Sequence, residues 1–100
     1  MGLQYGIKQA RESLLKLLSE GTWERKVSYM YSEIGVVTVE DTSIEIFQQI
    51  NEWQNKFLKV TDSKLGLSNV EKEDQCRKLA EELIFICTDM IEENSKKGTN

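Results

Sequence analysis

Apolar residues recur in this chain at alternating gaps of three and four, in four separate blocks. They are Leu3-Ile7-Ala10-Leu14-Leu17, Trp23-Val27-Met30-Ile34, Ile46-Ile50-Trp53-Phe57-Val60 and Cys76-Leu79-Leu83-Ile86-Met90. Residues spaced this way fall on one side of a helix, whereas a half-buried strand would alternate every second position. Each stripe needs an apolar partner, and in so short a chain the other stripes supply it. The spacing therefore predicts an all-α fold, a compact bundle of about four helices with a long C-terminal helix. The chain has no proline, so no helix is interrupted by one.

Start and stop signals divide the chain. The first helix is expected from Leu3 to Ser19, with Leu15 and Leu18 widening its stripe and Gly6 weakening its first turn. Gly21 stands where a left-handed C-terminal cap favours glycine. Thr22 is the expected N-cap of a second helix from Trp23 to Ile34, ended by Gly35. The same stretch is rich in β formers, at Val27 to Tyr31 and Val36 to Val39, so a hairpin near residues 25–40 in an α+β fold is the alternative. Thr42-Ser43-Ile44-Glu45 reads as a capping box with Thr42 at the cap, opening a third helix that ends near Val60. Ser68-Asn69-Val70-Glu71 is a second box. It opens a fourth helix reaching about Asn94, about 39 Å long. Residues 1–94 make one domain, and residues 95–100 read as a polar tail expected to fray.

Leu14, Leu17, Ile50, Trp53, Leu83 and Ile86 are the expected meeting points of the first, third and fourth helices. The run Leu83 to Cys87 is apolar on every side. That implies either a central helix or a homodimer that covers it. Cys76 and Cys87 lie three helical turns apart, roughly 16 Å, too far to pair, and read as reduced, buried thiols.

Chemistry is scarce. There is no histidine, hence no ready general base or imidazole metal ligand. Two cysteines without CxxC spacing make no zinc site, and no glycine-rich phosphate loop is present. Asp62 to Gly66 lacks the further oxygen ligands of a calcium loop. We expect no catalytic residues, no cofactor and no metal. No apolar run is long enough to span a membrane, and Lys8, Arg11, Glu12 and Lys16 break up any leader-like segment, so a cytoplasmic location is expected.

The net charge is −4, and the excess falls entirely in residues 41–100, with twelve acidic and eight basic side chains. Acidity disfavours a nucleic-acid partner and suits a basic protein. Glu82, Asp89 and Glu93 share one face of the fourth helix, and Glu45 and Glu52 on the third could add to their field. Tyr29 and Phe47 lie off their stripes and are candidate aromatic anchors. The expected function is a non-catalytic protein-binding module. Its most concrete version is a small acidic bacterial immunity or antitoxin-type inhibitor of a basic toxin such as a nuclease, by class analogy. A structural or regulatory helical homodimer, of phage or mobile-element type, is the alternative.

Overall fold

Thr22, Ser43 and Ser68 each place a hydroxyl at a helix start. Each accepts a backbone N–H three residues on, from Arg25, Ile46 and Glu71, at 3.2, 3.3 and 3.2 Å. The computed structural model describes residues 2–98. Its helices are α1 (Leu3–Leu15), α2 (Trp23–Ile34), α3 (Ile44–Val60) and α4 (Asn69–Gly98), with short 3₁₀ turns at Lys16–Leu18 and Ser63–Leu65. The fold is the all-α bundle expected, and no strand occurs among the described residues. Val36 to Val39, the β-rich part of the rejected hairpin, is irregular backbone between α2 and α3, with Val37 turned into the core.

Several local expectations shift. The α3 cap is Ser43, one residue later than read, because Thr42 is buried and its hydroxyl donates to Asn94 Oδ1 at 3.4 Å. Helix α1 ends at Leu15 and tightens into the 3₁₀ turn, so Gly21 is not its cap. Gly21, with φ 115°, instead shapes the turn into α2. At the other end α4 runs to Gly98, beyond Asn94. Lys96–Glu92 and Lys97–Glu93 pairs at 3.3 and 3.0 Å lie over the stretch read as tail, while residues 99 and 100 lie outside the described residues.

Helix α4, about 45 Å long, packs against each of the other three in a molecule 49 Å in its longest dimension. The core holds Val27, Met30 and Ile34 from α2, Ile46, Ile50, Trp53 and Phe57 from α3, and Leu79, Leu83, Ile86, Cys87 and Met90 from α4. Leu14 and Leu17 are only half-buried, against expectation, since α1 contributes mainly Ile7, Ala10 and the small Ser13 to the interior. Trp53 buries its indole and still satisfies it, donating Nε1–H to the Leu79 carbonyl at 2.7 Å. Tyr31 and Phe57 pack around it, with ring centroids 6.4 and 6.2 Å from that of Trp53.

Both ends of α4 are held by polar contacts. Near its start, Glu73 accepts the Trp23 and Glu24 N–H groups at 2.8 and 2.9 Å, capping α2 with a carboxylate from another helix. Near its end, buried Asn94 donates Nδ2–H to the Asp41 and Leu3 carbonyls at 2.7 and 3.1 Å. The Asp41 carboxylate accepts the Gly2 N–H at 2.8 Å, and the Thr38 N–H and hydroxyl at 2.9 and 3.1 Å. Gly6 explains itself here: a Cβ on it would collide with the Asp41 carbonyl oxygen. The glycine that weakens the first turn of α1 is what lets the loop lie against it.

Two outcomes are expected from this packing. Truncating fully buried Leu83 to alanine should lower unfolding free energy by about 2–5 kcal/mol, measured by denaturant titration; a neutral result would remove α4 from the centre of the core. At Asp41, burial pushes the carboxyl up, but the hydrogen bonds from Thr38 and Gly2 outweigh it and hold the group below its ordinary 3.8. A depressed folded value gives stability that is fully present above 3.8 and is lost as pH falls through the folded value. Asp41→Asn should therefore be destabilised by roughly 2–3 kcal/mol at neutral pH. It should also show a shallower loss of stability than wild type in acid titrations below pH 3.8.

Candidate functional site

With α3 started at Ser43, residues 46, 50, 53 and 57 turn to the core, and residues 45, 49, 52, 56 and 59 form the adjacent stripe. Helix α4 lays residues 78, 82, 85, 89 and 92 beside it. Between the two stripes runs a groove of three connected depressions. The first, about 350 Å³, is lined by Glu45, Gln49, Asp89, Glu92, Glu93 and Lys96 over Ile46. The second shares Gln49 and Asp89 with it and adds Glu52, Glu82, Phe85 and Ile86. The third shares Glu82 and is lined by Lys56, Lys59, Lys78, Gln75, Val60 and Leu79.

All five acidic candidates, Glu45, Glu52, Glu82, Asp89 and Glu93, thus converge on one surface. They are not equivalent. Glu82 is tied to Lys56 at 2.7 Å and Glu93 to Lys97 at 3.0 Å. The hydrogen bond from Lys97, helped by one from the Ser43 hydroxyl, outweighs partial burial and holds the Glu93 carboxyl below its ordinary range. Glu45, Glu52 and Asp89 are exposed and make no ion pair among the described residues.

Two features of the groove were not read from sequence. Its charge reverses along its length, because Lys56, Lys59 and Lys78 gather at the end far from Glu45 and Glu92. And Phe85, expected inside an all-round apolar segment, is 72% exposed at the groove's edge, with Ile84 beside it 36% exposed. Three helices cover α4 on three sides only, and the open side is where residue 85 falls. A phenylalanine on a charged face is the signal that could have marked it.

The aromatic candidates do not join the site. Tyr29 is 45% exposed, but it lines a separate depression between α2 and α3 with Glu24, Arg25, Ser28, Phe57 and Thr61. Phe47 is half-buried and lines none of the three groove depressions. Trp23, read as core, is also half-buried, with the Lys26 ammonium 4.9 Å from its ring centroid.

The remaining ionisable groups of the interior are Asp41, committed to the contacts above, and the two thiols. Burial pushes Cys87 up to about 12, and burial with nearby Glu24 and Glu73 pushes Cys76 up to about 11. Both are free and fully buried, so at neutral pH neither supplies a thiolate. Among the described residues no group of three His, Cys, Asp or Glu side chains is arranged to hold a metal ion. No helix is long and apolar enough to cross a membrane. No family model matches the chain, and no curated protein or solved structure is significantly similar to it.

Thiol labelling checks this description of the interior. Neither Cys76 nor Cys87 should react with a thiol reagent at pH 7 until the protein unfolds, so labelling should track denaturant. Rapid modification of Cys87 in the native protein would show that the α4 core is open.

Proposed function

We propose that this protein acts by binding another protein, without catalysis, and that a basic partner docks on the acidic half of the α3–α4 groove. The most concrete form is an inhibitor of the bacterial immunity or antitoxin type, which neutralises a basic toxin such as a nuclease. The observation that carries the reading is the convergence of Glu45, Glu52 and Asp89, exposed and without ion pairs, beside an exposed Phe85. Carboxylates in that state can meet incoming lysine and arginine without first breaking an internal pair. An aromatic side chain next to them offers apolar contact area, which charges alone lack.

Complementary charge mainly raises the association rate and is screened by salt. The variant of choice is Glu52→Lys with Asp89→Lys, since Glu82 is engaged with Lys56 and its reversal would disturb the groove itself. Affinity capture from the native cell, followed by stopped-flow binding of the identified partner, provides the test. Wild type should retain one stoichiometric basic protein. The double variant should fold normally and associate at least about tenfold more slowly at low salt, with the gap closing between about 50 and 500 mM. Equal rates across that range would overturn the reading.

A further inference from the structure

We propose that a second copy of this chain docks antiparallel on the α3–α4 face, about a two-fold axis that crosses both helices at the level of Glu52 and Phe85. Self-association of this kind stands independently of the basic partner proposed above, and it assigns an occupant to the groove's basic half as well.

The charge order along both stripes carries it. Glu45 and Lys59 lie seven residues to either side of Glu52 on α3. Lys78 and Glu92 lie seven residues to either side of Phe85 on α4. Seven residues of helix span about 10.5 Å. Glu52 and Phe85 line the same depression, so the two midpoints share one level. A two-fold axis through that level lays α3 over α3 and α4 over α4 in opposite directions. It sets Lys59 against Glu45 of the second copy and Lys78 against Glu92 of the second copy, and each match occurs twice. Such a surface is complementary to itself, which a closed two-fold interface demands.

Phe85 supplies the centre. It is the most exposed aromatic side chain among the described residues, and on the axis it meets its own counterpart. Burying it against a copy removes from water the most exposed apolar side chain of this face among the described residues. Lys59 has no ion pair among the described residues and gains one.

The same geometry limits the strength. From Gln75 to Lys96 the face runs about 32 Å, and two helices side by side are about 20 Å wide. That gives roughly 600 Å² per copy, below the ~800 Å² per partner of stable complexes. The two Glu52 carboxylates also approach each other at the axis. A weak, reversible dimer results. A basic partner on the acidic half would displace it, since there the carboxylates meet cations rather than each other.

Sedimentation equilibrium of the full chain, from about 1 μM to 1 mM, tests this. Wild type should pass from monomer to dimer within that range. Phe85→Ser should remain monomeric, and Glu52→Gln should dimerise more tightly. Lys59→Glu with Lys78→Glu should raise the dissociation constant at least about tenfold, and so should Glu45→Lys with Glu92→Lys, because each homodimer then opposes like charges. An equimolar mixture of those two double variants should recover wild-type association, since every opposed pair is again of opposite sign. Circular dichroism confirms that each variant is folded. A wild type that stays monomeric throughout overturns the proposal. So does a dimer that both charge variants leave unchanged, or a mixture that fails to associate. None of these results depends on the partner-capture experiment, so either proposal can fail alone.

Discussion

Every helix of this protein takes its position from α4. Apolar stripes attract one another but do not specify register, because hydrophobic contact is non-directional. The polar contacts at the two ends of α4 supply what the stripes lack. Glu73 receives the first N–H groups of α2, and Asn94 reaches both the start of α1 and the loop before α3. Midway, the Trp53 indole reaches the Leu79 carbonyl and relates α3 to the same helix. Each contact would leave a buried or part-buried donor or acceptor unsatisfied if its helix slid by one turn. Sliding is therefore opposed at three levels along a single rod.

That arrangement also determines what remains outside. Helix α4 has neighbours on three sides, and its fourth side stays open. The groove between α3 and α4 is the consequence. Besides the core residues Ile46, Leu79 and Ile86, its lining is mostly polar side chains that the core did not need, so their charges are free to vary in order and sign. The resulting face carries carboxylates at one end, lysines at the other and an aromatic ring between them. Surface charges of this kind add little to folding stability. They do orient an approaching molecule and slow the approach of one with the wrong pattern.

A basic protein and a second copy of the chain would compete for this face on different terms. The copy matches the full length of the groove but brings two Glu52 side chains together. A basic partner of the kind proposed would avoid that repulsion and engage only the acidic half. The balance between them is then set by concentration, as in any linked equilibrium.

The amino-acid order by itself determined the first, third and fourth helices in outline, and left residues 25–40 open between the helix that the structure shows and a hairpin. Four stripes with a 3.6-residue period, the hydroxyls of Thr22 and Ser68, and the absence of proline act within a few residues of where they stand, so they are legible in one dimension. The acidic candidates were legible for the same reason, since Glu82, Asp89 and Glu93 share a side of one helix whatever surrounds it. What only the tertiary structure decided involves residues far apart in the chain. Thr42 resembles a cap and is buried by Asn94, 52 residues away, which moves the cap to Ser43. Gly6 looks like a flaw in a helix until the Asp41 carbonyl is seen against it. Phe85 looks like core until the open side of α4 is known. Lys56, Lys59 and Lys78 become one cluster only when α3 and α4 lie antiparallel. Periodicity tells which side of a helix is apolar. Which neighbour covers that side, and how far around it reaches, depends on packing between segments that local spacing does not encode.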